Sequence, residues 1–152
     1  MRTIIDLFER SCEKFPNNPY LWEKKKGRFA ATSYIEVKRE VLNFASALCQ
    51  LGMNRGDRIA LLSEGCNDWV YSELGILYAG GVNVPLSIKL TDNEIVFRVE
   101  HSQARFLIVS ANFLSRVRGI EGRMGGVEKI IVLHSDINEG KYVSFEQLQR
   151  EG

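Results

Sequence analysis

The chain contains no run of about 18 uninterrupted apolar residues, so it has no helix long enough in hydrophobic character to span a bilayer. It has no basic excess. Twenty Lys and Arg stand against nineteen Asp and Glu, a net charge of +1, which argues against a nucleic-acid partner. Cysteine is scarce and odd in number. Cys12, Cys49 and Cys66 lie far apart, which excludes a disulfide framework and points to a reducing, cytoplasmic compartment. With no CxxC and two histidines (His101, His134), a Cys/His metal centre is not expected. A secretory leader needs about 7–15 apolar residues after its basic start, and here Met1-Arg2-Thr3-Ile4-Ile5 meets Asp6 at once. Neither GxGxxG behind a strand nor GxxxxGKS/T occurs, so the usual glycine-rich phosphate loops are absent. Disorder is excluded as well, because 45% of the 152 residues are hydrophobic and the net charge is small.

What is present is a regular alternation. Tyr20–Glu23 and Arg28–Thr32 read as a β-hairpin whose turn is Lys24-Lys25-Lys26-Gly27, a solvated basic tip. Four apolar runs follow, beginning at Arg58, Val82, Arg105 and Lys129, spaced 24, 23 and 24 residues apart. Such gaps suit crossover helices rather than hairpin turns. Runs apolar at nearly every position fit strands covered on both faces. The pattern predicts an α/β fold: a doubly wound, mostly parallel sheet with flanking helices, preceded by an N-terminal helix and the hairpin.

Helix starts are marked by Thr3/Asp6, Ser33/Glu36, Thr91/Glu94 and Ser144/Gln147, at capping-box spacing. After Ser33, residues Val37, Val41, Phe44, Ala45 and Leu48 form one apolar stripe, and Gly52 closes the helix with Met53 behind it. The helix after Asn67 has almost no polar face (Trp69, Val70, Tyr71, Leu74, Ile76, Leu77, Tyr78), so it should be buried on most sides, with further protein packed against it. Gly80-Gly81 reads as its C-terminal cap. Gly119, Gly122, Gly125 and Gly126 read as a loop before the strand at Lys129.

Candidate chemistry is sparse. Cys66, ahead of a helix, reads as a packed thiol with no general base in view. His101 and His134 read as surface imidazoles, and Glu9/Glu13 as a solvated helical face. In open α/β sheets ligands bind beyond the carboxyl ends of the strands. Those ends carry Ser63-Glu64, Ser87-Ile88-Lys89, Ser110-Ala111-Asn112 and His134-Ser135-Asp136, which read first as turn formers, with polar ligand contacts as the alternative.

Read in order, Ser33-Tyr34-Ile35-Glu36, Leu51-Gly52-Met53-Asn54-Arg55-Gly56-Asp57-Arg58-Ile59-Ala60-Leu61 and Ser63-Glu64-Gly65-Cys66-Asn67-Asp68-Trp69 resemble the opening of AMP-forming acyl-CoA synthetases. So does Tyr78-Ala79-Gly80-Gly81-Val82-Asn83-Val84-Pro85-Leu86-Ser87 followed by Leu90-Thr91-Asp92-Asn93-Glu94-Ile95. The Ser-Glu…Asn-Asp-Trp segment is most similar to long-chain fatty acid–CoA ligases. The resemblance runs from about Thr3 to Ser110 and, more weakly, to Leu133.

The resemblance implies ATP, Mg²⁺ and coenzyme A as cofactors, a fatty acid or other carboxylic acid as substrate, and an acyl-adenylate followed by a thioester. It further implies that residues 1–152 are a truncated N-terminal portion of the large adenylate-forming domain, lacking the phosphate loop and the C-terminal domain. On that view the segment is inactive alone, holds no catalytic residue, and self-associates through surface exposed by truncation. A contact to the coenzyme A nucleotide would fall on Ser87, Ile88 and Lys89, with Arg116 or Arg118. Two other readings remain open: a flavodoxin-like binding domain, which should show a phosphate loop or an acidic strand-end pair, and a non-catalytic interaction module.

Overall fold

The computed structural model describes residues 3–152. Helix α1 (Ile4–Lys14) is followed by the hairpin strands β1 (Pro19–Lys25) and β2 (Arg28–Ser33), and then by α2 (Tyr34–Gln50). The remainder alternates: β3 (Arg58–Leu62), α3 (Asn67–Tyr78), β4 (Val82–Leu86), α4 (Asp92–Ser102), β5 (Phe106–Ser110), α5 (Ala111–Ile120), β6 (Lys129–Leu133), β7 (Tyr142–Ser144) and α6 (Phe145–Glu151).

The hairpin turn is shorter than its sequence suggests. Lys24 and Lys25 belong to β1 and pair with Phe29 and Arg28. The turn is Lys26-Gly27 alone, both at positive φ (49° and 81°), the backbone that suits the right-handed twist of the flanking strands. The strand expected at Arg105 begins one residue later, at Phe106. Strand β7 has no counterpart in the sequence pattern. Three residues are too few to display a period.

Three of the four capping boxes form with both bonds, at Thr3/Asp6, Ser33/Glu36 and Thr91/Glu94. The fourth is one-sided. Ser144 Oγ accepts from the Gln147 N–H, but the Gln147 Oε1 accepts from Asn138 Nδ2 instead of from the Ser144 N–H. Helix α2 buries the stripe Val37, Val41, Phe44, Ala45 and Leu48. Gly52 (φ 87°) closes it, its N–H donating to Cys49 O and that of Met53 to Leu48 O, a Schellman motif. Gly80 (φ 82°) closes α3 in the same way.

Strands β4-β3-β5-β6-β7 form one sheet in that order, and every neighbouring pair is parallel. Alternate residues feed two separate cores. Ile59, Leu61, Phe106, Ile108, Ile131 and Leu133 pack beneath α1, α2, α3 and α6. Ala60, Leu62, Leu107, Val109, Ile130 and Val132 pack beneath α4 and α5. Covering both faces requires apolar residues at every position, which is why these runs lack polar alternation.

No residue of α3 is fully exposed. Its sequence called for cover on most sides, and that cover comes from α1, α2, the hairpin and the sheet of the same chain. Glu9 also differs from its expected solvated role. It accepts from Lys38 Nζ and from the Tyr78 hydroxyl, both at 2.5 Å, and so ties α1 to α2 and α3, whereas Glu13 is exposed.

The amino ends of the strands are tied by charge. Arg105 donates to Asp57 Oδ2 at 2.6 Å and to the Gly52 carbonyl at 2.8 Å, and pairs with Glu128 at 2.9 Å. Backbone bonds from Gly56 to Gly80, Val82 to Asp57, Arg105 to Arg58 and Glu128 to Arg105 complete this edge.

Candidate functional site at the carboxyl edge of the sheet

Strands β3 and β5 are neighbours, yet their connections leave in opposite directions. Helix α3 packs on one face and α5 on the other. The carboxyl ends of β3 and β5 are therefore the switch point of the sheet, the crevice position where doubly wound sheets take ligands.

Glu64 stands in that crevice. Ser110 Oγ, from the buried end of β5, donates to Glu64 Oε2 at 2.5 Å, and Asn112 Nδ2 donates to Oε1 at 2.5 Å. Burial pushes the Glu64 carboxyl up, but the hydrogen bonds and the nearby His134 outweigh it and hold it below the ordinary value. Three of the four strand-end groups seen in the sequence therefore converge: Ser63-Glu64, Ser110-Ala111-Asn112 and His134. The sequence did not disclose that the carboxylate would bridge to the next strand, because residues 64 and 110 meet only through the strand order.

The N-terminus of α3 borders the crevice and is already occupied. Its cap residue, Cys66, makes no side-chain hydrogen bond to it. Glu23 reaches over from the hairpin and accepts from the Asn67 N–H at 3.4 Å, while Asn67 Nδ2 donates to Thr32 Oγ1 at 3.3 Å. Burial pushes the Cys66 thiol up, so it sits as a packed thiol, as the sequence suggested. Among the described residues this edge does not fit a nucleoside triphosphate with Mg²⁺. A carboxylate lines the crevice, a second faces the helix N-terminus, and no glycine-rich loop is present to offer backbone donors.

The fourth strand-end group lies apart, after β4. Ser87, Ile88 and Lys89 are exposed, and Ser87 Oγ accepts from the Lys89 N–H at 3.2 Å. Arg116 of α5 reaches the next stretch of that loop, donating to the Leu90 carbonyl and pairing with Asp92. Arg118 points elsewhere. It pairs with Glu139 at 2.7 Å and lies over the Tyr142 ring. The Arg116 side chain therefore reaches the loop that carries Ser87–Lys89, and Arg118 does not.

His101, at the end of α4, stacks on Phe97 at the surface, as expected. His134 does not behave as a bland surface residue. It adopts φ 58°, and its Nδ1 lies 3.3 Å from Asp68 Oδ2. The two are 66 positions apart, a pairing that no local motif signals.

A family model described as "AMP-binding enzyme" matches residues 8–151. The chain is 28% identical to the crotonobetaine/carnitine–CoA ligase of Salmonella paratyphi A over 131 residues, 85% of this chain and 25% of that protein. It is 32% identical to long chain acyl-CoA synthetase 1 of Arabidopsis thaliana over 112 residues, 70% of this chain and 17% of that one. The crystal structure of the anthranilate CoA ligase AuaEII in complex with anthranoyl-AMP superposes with a TM-score of 0.87 at 28% identity, covering 97% of this chain and 27% of that one. The chain thus spans about a quarter or less of the length of these relatives. A doubly wound sheet alone fixes no function, but this sheet, its capped helices and a match over nearly the whole chain agree, and the protein belongs to the AMP-binding enzyme family.

Proposed function

We propose that residues 1–152 are the amino-terminal portion of the large domain of an AMP-forming CoA ligase, and that the acid it serves is a fatty acid. The observation that carries this reading is the family match across residues 8–151. Fatty-acid specificity draws support from the Ser63-Glu64…Asn67-Asp68-Trp69 segment and from the 32% identity to a long chain acyl-CoA synthetase. In the complete enzyme a carboxylate oxygen attacks the α-phosphorus of ATP and pyrophosphate leaves. The coenzyme A thiol then attacks the acyl carbon, and AMP leaves as the thioester forms.

This segment contributes scaffold and one flank of the coenzyme A path. Ser87, Ile88, Lys89 and Arg116 are the residues proposed to meet the nucleotide, supported by the exposure of Ser87–Lys89, by the reach of Arg116 from α5 to the same loop, and by the suitability of Lys and Arg for phosphate. The donors for ATP and Mg²⁺ are proposed to come from sequence beyond residue 152, since the carboxyl edge described above does not fit them.

Two measurements test the reading. The 152-residue chain, given ATP, Mg²⁺, coenzyme A and palmitate, should release no pyrophosphate above the blank, and turnover would overturn its proposed incompleteness. Fused at the matching position to the remainder of a long-chain acyl-CoA synthetase, it should support palmitoyl-CoA formation. A folded fusion with no activity on any fatty acid would overturn the fatty-acid assignment.

A further inference from the structure

Three side chains from distant parts of the chain meet beside the crevice: Asp68 in the first turn of α3, His134 directly after β6, and Glu146 on α6. Their potential ligand atoms all lie within 4.8 Å of one another. His134 Nδ1 is 3.3 Å from Asp68 Oδ2 and 3.9 Å from Glu146 Oε1. We propose that Asp68, His134 and Glu146 form a binding site for a divalent transition-metal ion of the zinc class, with Nδ1 and one oxygen from each carboxylate as ligands.

The distances suit it. Tetrahedral bonds of about 2.0–2.2 Å place neighbouring ligand atoms about 3.4 Å apart. The histidine–aspartate separation already has this value, and the glutamate needs only a small side-chain adjustment. The ligands are also held in place. The His134 N–H donates to Glu146 Oε1 at 2.8 Å, and Ser144 Oγ donates to Glu146 Oε2 at 3.3 Å.

Charge points the same way. Apart from His134, the charges that face Asp68 are largely acidic, from Glu146 and Glu23. Lys25 is the other cation acting on Asp68 and is itself paired with Glu23. A dication would supply the positive charge this corner lacks. One imidazole with two carboxylates suits zinc, manganese or cobalt better than calcium or magnesium. Three protein ligands leave a fourth position for water, and the half-exposed His134 ring gives the ion a way in.

The site stands whether or not the chain is part of a ligase, so its test needs no turnover. Chelator-stripped protein is titrated with ZnCl₂ by calorimetry and by NMR of the histidine rings. One ion per chain should bind, the His134 ring signals should shift, and the melting temperature at about 100 Kd of zinc should rise by about 5–10 °C. His134→Ala and Glu146→Gln should lose the temperature rise, and His101→Ala should keep it. The absence of saturable zinc binding would overturn the proposal and leave a plain ion pair. So would zinc shifts confined to His101, which remain readable in the unmutated chain even if a variant fails to fold.

Discussion

The two ends of the central sheet are built on opposite electrostatic plans. At the amino ends one guanidinium, Arg105, is shared by two carboxylates and a carbonyl, and backbone bonds link the strand entries. At the carboxyl ends Glu64, Asp68 and Glu146 gather around one imidazole, and Glu23, paired with Lys25, faces Asp68. The first end is close to charge balance, and the second carries an excess of acid. An arrangement near balance serves stability. An unbalanced one is retained where a ligand or a partner restores the balance, and shifted carboxyls cluster at such places.

The contrast can be broken by mutation. The largest effect is expected from Arg105→Ala, which leaves Asp57 and Glu128 without the guanidinium they share. With 27% of the side chain exposed, solvent screening discounts the loss to about 1–2 kcal/mol. It would appear as a lower urea midpoint at unchanged slope. A cost below about 0.5 kcal/mol, the range of an ordinary surface change, would show that the amino edge is not a stabilising clamp.

A pH series sharpens the comparison further. The folded Asp68 carboxyl, near 6, lies above its ordinary 3.8. The folded chain therefore holds that proton more tightly, and the stability this confers is lost as pH rises from about 4 to about 6. Asp57, chiefly through the Asn54 N–H, and Glu128, through Arg105, are shifted down. They contribute stability above their ordinary range, and it is lost as pH falls through their folded values. In chelator, Asp68→Asn should gain on the parent protein by about 1 kcal/mol between pH 4 and pH 6.5, after discounting for exposure. Parallel curves for the two proteins would refute the strained-carboxylate account.

The smallest effect belongs to the crevice. Ser110→Ala removes one of two donors to Glu64 and should cost about 0.5 kcal/mol. It should also raise the Glu64 carboxyl pKa, measurable by carbon-detected NMR titration. An unchanged Glu64 titration would mean that Ser110 does not hold it.

Local features of this fold were open to reading from sequence because their physics is local. A capping box needs four consecutive residues, and Ser33/Glu36 or Thr91/Glu94 announce themselves. The spacing of β3 to β6 declares crossovers, and their continuous apolar character declares two covered faces. Strand β7 stayed hidden because Tyr142-Val143-Ser144 is too short for a period, and the position of the adjoining cap at Ser144 was the sole trace of it. The site was harder to see. Glu64 meets Ser110 and Asn112, and Asp68 meets His134 and Glu146, only after the strands have taken the order β4-β3-β5-β6-β7, which no short window encodes. Glu9 is a similar case, since its helical spacing to Glu13 suggested solvent while Lys38 and Tyr78 arrive from other elements.

That strand order also has a consequence for the chain as it leaves the ribosome. The first two parallel strands to emerge, β3 and β4, can pair at once. One side of β3 then stays open until β5, some twenty residues after β4, is available to fill it. Over that interval Ile59, Leu61 and their neighbours form a bare apolar edge at the future centre of the sheet. Non-local closure of this kind is slow, and unpaired edges invite wrong partners. The vulnerable stage of synthesis for this protein is therefore the stretch between Leu86 and Phe106, and a pause there would expose the middle of the sheet rather than its rim.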